Sequence, residues 1–591
     1  MKITPTSLTV TQLFSSGNEQ YVIPAYQRRY SWQERQVWEL IDDIRLLEEN
    51  DTHLLGSIVC LAEHHVAGIN SLELVDGQQR LTTMMVIMEC IRQRLEELEE
   101  VEEVSDLSRL LTCKALGGKP VRKVALDSID SEEFERLVQG DHSKPYKNSN
   151  LEKTFNIVRT WIASQEIATL GAFLYRLKNQ SMVIRLDVSD AKDAFKLFET
   201  INNRGLRLSS TDIIKNFLLG NAARFGSEAL VAARATWSDL IVNLDGTSAD
   251  SFFRYYLMSL IRRRVTDGEV VPQFKELFME RVAEAIELPE RHLYADVDEL
   301  EDEHIEPVNE LNDGVAAVTS GRIKFKTFLS QLLASTRVYG ELVLGKTGEA
   351  RIDRHLRNLR MIKAIQTYGY LMHLKSGKCS DKALLEVIRL TEAFVLRRHV
   401  CKERANETEA LFAKLCSVDP ADPVAATKKA YRELCPSDEK FSTELVTADF
   451  PPNLIGRARY CLEQIEMHSY GEYAELQILG AEDVHVEHII PQKIKTKRAK
   501  DEFGDWVEYL GPKAEAMHPT YVGRLGNLTL FAGTLNIGAS NNPFHKKRKS
   551  YKESGIELTR TLARMANFKF RDVEKRSKAL ARLAVGIWPI P

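Results

Sequence analysis

The sequence predicts a helix-rich α+β protein built from more than one domain, and three observations carry that expectation. Near the start, short apolar runs end in turn residues and pass into helical periodicity. From about 225 to 470 the pattern is dominated by long helices, and after about 480 it returns to strand, loop, strand and helix. At 591 residues the chain also exceeds what one hydrophobic core accommodates.

The elements follow in order. GSIVCLAE (56–63) and LELVDG (72–77) read as strands, the second closing in an Asp-Gly turn. From Gln79, QRLTTMMVIMECIRQRLEELEE spaces its apolar residues for a helix, so the local unit is strand, turn, helix. MVIRLDVS (182–189) predicts another strand and AKDAFKLFETIN (191–202) another helix, broken by Asn203, Arg204 and Gly205. Ser210 or Thr211 then suits the cap of a helix through TDIIKNFLLGNAA. SFFRYYLMSLIRRRV (251–265) and DKALLEVIRLTEAFVLRRHV (381–400) are typical of the helical middle, which carries no repeat of fixed period. The expected division is residues 1–225, a helical region at 226–450, and 451–591.

Composition excludes several classes. No stretch approaches the roughly 20 apolar residues of a membrane span, and MKITPTSLTVTQLF lacks the pattern of a secretion signal. The eight cysteines contain no CxxC pair, which speaks against a zinc ribbon or disulfide framework and fits a reducing cytoplasm. The net charge of −4 rules out a basic coat protein, yet the charge is uneven. Acidic runs occupy 96–103 and 296–304, while Lys493, Lys495, Lys497, Arg498 and Lys500, and then His545 to Lys549, form basic clusters late in the chain. Such clusters are usually solvated faces; beside a candidate catalytic motif they also suit phosphate.

That motif is DVHVEHIIPQK (483–493), where alternation predicts a strand with Glu487 and His488 at its tip. GRLGNLTLFAGTLN (523–536) predicts a second strand starting near Asn527, and a polar helix follows within NIGASNNPFHKKRKSYKES. Two strands, a loop and a helix bearing carboxylate, imidazole and carboxamide groups is the layout of a ββα-metal nuclease. Phosphodiester hydrolysis needs a water deprotonated near neutral pH, which histidine suits, and a divalent ion to neutralise the charge that builds on the phosphate. The segment resembles the HNH superfamily. That resemblance implies His488 as general base, Glu487 and Asn536 as ligands of Mg²⁺ or Mn²⁺, and Asn527 orienting the histidine or tying down the loop. Asn541, Asn542 and His545 are weaker candidates for the last ligand, and Lys546 and Lys547 would bind DNA phosphate. Two departures stand out: Glu487 replaces the commoner aspartate, and asparagine rather than histidine closes the motif. The bland alternative is a structural Glu-His pair beside a turn proline, and His485 reads as a mere strand neighbour.

Three further motifs lie toward the other end: IPAYQRRYSW (23–32), LVDGQQRLTT (74–83) and FETINNRGLRLSSTDIIKN (198–216). An Asp-Gly turn between strand and helix can present backbone N–H groups to a phosphate. Gln78 and Gln79 can bond a base, a ribose or water, and Arg80 with Arg28 or Arg29 can grip phosphate oxygens. Asp76 can hold Mg²⁺ or orient water. No GxxxxGK[ST] P-loop occurs. In their order these motifs resemble the N-terminal domain of GmrSD-type restriction proteins, a relative of the ParB/sulfiredoxin fold. The resemblance implies an NTP site, for GTP or ATP, formed by Gln27, Arg28, Arg29, Asp76, Gly77, Gln78, Gln79 and Arg80, with Tyr30, Asn202, Arg204 and Asp212 sensing nucleotide or DNA. The bland readings are a surface turn for DGQQR, a helix C-cap for the NNRG segment, and core packing for Tyr26, Tyr30 and Trp32.

Together the two resemblances identify a GmrSD-like type IV restriction enzyme with both parts in one polypeptide. They imply a nucleotide-regulated, metal-dependent endonuclease acting on double-stranded, modified phage DNA, with a homodimer left open. The rival readings are a nucleotide-regulated DNA-binding protein with a degenerate nuclease domain, and an abortive-defence nuclease that attacks host nucleic acid.

Overall fold

The computed structural model describes residues 3–48, 51–66, 68–115, 117–126, 130–202, 209–287, 322–471, 484–494, 506–532 and 542–591. Arg204, Asn536, Asn541, the acidic run at 296–304 and the basic cluster from Lys495 to Lys500 therefore lie outside the described residues. The architecture is helix-rich α+β, and the chain divides into two units: Met1–Phe253 with Thr266–Arg337, and Arg254–Val265 with Val338–Pro591.

The first unit is organised by one mixed sheet. Its strands are β1 (Ile3–Thr9), β2 (Glu19–Ile23), β3 (His53–Val66), β4 (Ile69–Asp76), β5 (Val124–Leu126) and β6 (Ser181–Val188), in the order β1-β6-β3-β4-β2-β5. β3 and β4 pair antiparallel, whereas β2 runs parallel to β4 and to β5, and β3 parallel to β6. Leu72, Glu73, Leu74 and Val75 are all buried in β4, so this strand is covered on both faces. It delivers the chain at Gly77 into α2 (Gln78–Glu97), which follows α1 (Glu34–Arg45). Almost every residue of α2 from Gln78 to Ile91 is buried, which makes it the central helix of this core rather than an amphipathic surface helix.

The turn works because residue 77 is glycine. Gly77 caps α2 in a left-handed conformation at φ +93°, and a Cβ there would lie 2.4 Å from Ile58 Cγ2. Gly77→Ala adds left-handed strain of about 1–2 kcal/mol and overpacking of about 1–3 kcal/mol. We expect a loss of about 2–5 kcal/mol in the stability of this unit, read as a lower urea midpoint; an unchanged midpoint would show that the turn relaxes freely.

Beyond α3 (Ser149–Ala163) and β6, the helices α4 (Ala191–Asn202) and α5 (Ser210–Phe225) pack together. The cap of α5 is Ser209, one residue before the expected position: its Oγ accepts from the Asp212 N–H at 3.1 Å. Thr211 is diverted, with its N–H and Oγ both bonded to Asp250 Oδ1.

The second unit is helical around a small two-stranded corner. Its long helices include α6 (Asp381–Val400), α7 (Ile455–Tyr470) and α9 (Phe570–Ile587). β7 (Val484–His488) pairs antiparallel with β8 (Leu528–Ala532), and α8 (Phe544–Lys552) follows. Ile489, Ile490, Phe531, Phe544, Tyr551, Phe570 and Val573 form the core beneath. The glycine of GNLTL has a packing reason. A Cβ on Gly526 would fall 2.2 Å from Val573 O, so only glycine lets α9 approach the start of β8 this closely.

Candidate functional site

In the first unit, sheet and helix ends bring a polar cluster together. Asp76 ends β4, Gln78 opens α2, Gln27 and Arg28 come from the loop after β2, and Asp212 and Lys215 sit on the first turns of α5. Gln27 is buried; its amide donates to the carbonyls of Leu74 and Val75 at 3.2 and 3.0 Å, and its Oε1 accepts from Lys215 Nζ at 2.5 Å. Lys215 lies 3.7 Å from Asp212, and the exposed Arg28 lies 3.5 Å from the same carboxylate. Burial pushes the Lys215 ammonium below its ordinary range, while Asp212 and Asp76 oppose that fall and Arg28 adds to it. Among the described residues, two buried oxygens, Gln78 Oε1 and Asn216 Oδ1, have no hydrogen-bond partner.

Not every residue expected here faces the cluster. Arg29 is held by Asp130 at 2.8 Å, Asp245 at 2.7 Å and Glu133 at 3.4 Å, so its guanidinium is spent within the framework. Gln79 clamps the motif loop, with Oε1 accepting from the Ser31 and Trp32 N–H groups and Nε2 donating to the Arg29 carbonyl. Tyr30 is core, its hydroxyl 2.7 Å from Thr83 Oγ1, and Tyr26 donates to Glu73. Arg80 braces the sheet: Nη1 donates to Ser57 O at 2.9 Å, beneath Gly56, where φ is +117°. Burial lowers the Arg80 pKa and Asp76 opposes that shift. Asn202 ends α4, where only its backbone is described. Lys215 is the residue the sequence reading passed over. It stands three positions after Asp212, the spacing that puts both on one helix face.

In the second unit, β7 ends in Glu487 and His488, with His488 opposite Leu528 in β8. Asn527 is fully buried and ties down the loop. Its Oδ1 accepts from Ile490 N at 2.8 Å, and its Nδ2 donates to Ile490 O at 3.0 Å and Val522 O at 2.9 Å. Of the two roles expected for it, this geometry is the second. His518, absent from the sequence reading, bonds Pro491 O at 2.8 Å from a helix that no motif marked.

Lys546 and Lys547 part company because neighbours on a helix point about 100° apart. Lys546 is exposed, as is His545. Lys547 is buried at 1% exposure, its Nζ bonded to Glu487 and, at 2.9 Å, to His488 O. It thus serves the strand end rather than a surface phosphate contact. Burial raises the Glu487 carboxyl pKa and lowers that of Lys547, each against the pull of the other. Burial also pushes His488 down to about 4, helped by Lys547 and His518, so its imidazole is uncharged at neutral pH. His488 Nε2 is 3.5 Å from Gln492 Nε2. Asn542 is half-buried ahead of α8, and His485 is exposed.

Among the described residues no group of three or more His, Cys, Asp and Glu side chains is arranged to hold a metal ion, and the Glu487 carboxylate at this strand end is taken by the Lys547 ammonium.

A family model described as the GmrSD restriction endonuclease N-terminal domain matches residues 10–219. A second, described as the GmrSD restriction endonucleases C-terminal domain, matches residues 435–583. No curated protein matches the chain. The polar cluster of the first unit falls inside the first match and the Glu487–His488 strand end inside the second, in the order of the motifs. The chain belongs to the GmrSD restriction endonuclease family, a group of DNA-cutting enzymes, with the N-terminal and C-terminal domains carried on one polypeptide.

Proposed function

We propose that the chain is a metal-dependent, HNH-type DNA endonuclease governed by a nucleoside triphosphate and directed at modified phage DNA. The observation that carries the nuclease half is the place of His488, at the tip of a strand next to the buried carboxylate of Glu487. A neutral imidazole can take the proton of an attacking water. The approaching phosphodiester anion would raise the His488 pKa from about 4 toward the working range. Asn527 fixes the Ile489–Pro491 loop that follows the histidine, and the exposed Lys546 would meet phosphate. Glu487 and Asn536 would hold Mg²⁺ or Mn²⁺, which supplies charge neutralisation at the scissile phosphate when bound. Glu487→Gln and Asn536→Ala should each move the Mg²⁺ titration of plasmid cleavage to higher concentration. A titration unchanged in both would remove these residues from metal binding.

The regulatory half rests on the first-unit cluster. Lys215, Arg28 and the N-terminus of α2 supply positive potential for a triphosphate. Asp76 and Asp212 supply carboxylates for its metal ion or for water, as NTP hydrolysis requires. The mixed sheet, with Asp76 and Gly77 at a strand–helix junction, supports a ParB/sulfiredoxin-like reading of this unit. A state-dependent difference in contacts must connect the units for nucleotide to govern cutting. Either sign, activation or restraint, fits this arrangement.

One observation favours a second reading. Lys547 occupies the Glu487 carboxylate, which fits a C-terminal domain that binds DNA without cutting it, as a degenerate nuclease would. A Mg²⁺-dependent plasmid-nicking assay on the full chain decides between them: nicking above background supports the nuclease, and its absence with DNA binding retained supports the degenerate domain.

A further inference from the structure

The second unit contains a cavity of about 470 Å³ that neither of the two sites uses. It is walled by α6, by α7, by helices Ala350–Met361 and Val424–Leu434, and by the segment that follows α9. Its floor is the buried carboxylate of Glu392, which accepts from His355 Nδ1 at 2.6 Å, Asn358 Nδ2 at 3.1 Å and Tyr460 OH at 2.8 Å. Trp588 Nε1 donates to the same tyrosine at 2.8 Å. The carboxylate is thus fully engaged, and the His355 ring is held with Nε2 on its opposite edge, where it has no partner among the described residues.

The remaining charges around the cavity are unevenly matched. Lys428 pairs with Glu386 at 3.2 Å. The exposed Arg389 has no hydrogen-bond or ion-pair partner among the described residues, and Arg432 gives only its Nε–H, to Pro591 O at 2.5 Å. Apolar wall comes from Leu390, Ile587 and the 42%-exposed Ile590. Two guanidiniums with open N–H groups suit a phosphate. An apolar wall and a volume within the usual range of ligand sites, about 300–1,000 Å³, suit a flat organic body attached to it.

We propose that this cavity binds a nucleoside monophosphate, and that its occupancy is felt at the nuclease centre through α7. Tyr460 and Gln464 on that helix line the cavity. Arg459, its neighbour, donates to Val484 O at 2.8 Å at the start of β7. Two turns on, Glu466 accepts from the N–H groups of Glu557 and Leu558, and Thr559 donates to Leu530 O in β8. One helix therefore touches both the ligand wall and the two strands of the Glu487–His488 pair. The coupling rests on the nuclease reading given above, whereas the binding does not.

The test measures calorimetric binding of dAMP and of inorganic phosphate to the full chain, its Arg389→Ala and His355→Gln variants, and Arg35→Ala, an exposed surface residue, as a control in the first unit. The expected result is one saturable dAMP site, weakened at least tenfold by Arg389→Ala and by His355→Gln and unmoved by Arg35→Ala, with phosphate binding more weakly than dAMP. No saturable binding at millimolar dAMP, or binding insensitive to Arg389→Ala, overturns the site; phosphate binding as tightly as dAMP overturns the nucleoside class. Saturating dAMP should change the plasmid-cleavage rate of the wild type but not of Arg389→Ala, and an unchanged wild-type rate overturns the coupling. A wild type that binds dAMP yet cleaves under no condition marks failure of the nuclease reading, since the binding result stands without it.

Discussion

His488→Ala is expected to lower the cleavage rate by about 10²–10⁴, the usual contribution of a general base, while leaving the fold and nucleotide binding intact. The structural reason for a clean effect is that the His488 side chain, unlike its neighbours, carries little of the local framework. Among the described residues its ring makes only a long 3.5 Å approach to Gln492, whereas its backbone carbonyl is what Lys547 bonds. Ile489, Ile490 and Asn527, which hold the loop and the core, are untouched by the substitution. Asn527→Ala is the informative contrast, because it strips three hydrogen bonds from a buried loop and should destabilise the unit as well as slow it. Cleavage and a thermal melt measured on the same preparation check both. A folded His488→Ala protein that cuts at the wild-type rate would remove this residue from the chemistry.

The second large effect is expected in the first unit. Lys215→Met should lower NTP affinity at least tenfold and abolish NTP turnover, since a charge-assisted hydrogen bond to phosphate contributes about 1.5–3 kcal/mol and 1.4 kcal/mol is tenfold. Asp76→Ala should also lose turnover. Arg80→Ala differs in kind, because its guanidinium braces Ser57 O beneath Gly56, and it should melt earlier whatever it does to nucleotide. The pH dependence has a definite sign. Burial depresses the Lys215 pKa, so its ammonium is present below that depressed value and is lost as pH rises, earlier than for an exposed lysine. NTP affinity of the wild type should therefore fall on moving into the alkaline range, and Lys215→Met should lack that fall. A Lys215→Met protein with wild-type NTP affinity would reduce the lysine to a counter-ion for Asp212.

Much of this was legible in the sequence, for identifiable reasons. The Asp76-Gly77 junction announced itself because a left-handed turn pressed against Ile58 admits only glycine. The helix at 381–400 and the β7–β8 pair follow from strong period-3.6 and period-2 patterns. What escaped was what tertiary contacts decide. β1, β2 and the three-residue β5 are strands only because neighbouring edges receive them. Motif residues divide between site and scaffold according to the direction of one side chain. Arg28 reaches Asp212 while Arg29, next to it, is locked onto Asp130 and Asp245; Lys546 is exposed while Lys547 is buried on Glu487. No spacing rule separates such neighbours in a loop or before a helix register is known. His518 could not be singled out at all, because its only mark is a hydrogen bond to Pro491 across 27 positions of chain.

The most direct test of the central claim is cleavage of modified and unmodified phage DNA by the purified full chain, with and without Mg²⁺ and each NTP, beside His488→Ala. The account predicts cutting that needs Mg²⁺, changes with NTP, favours modified DNA and disappears in His488→Ala. Cutting that persists in chelator, or that His488→Ala retains in full, would contradict it.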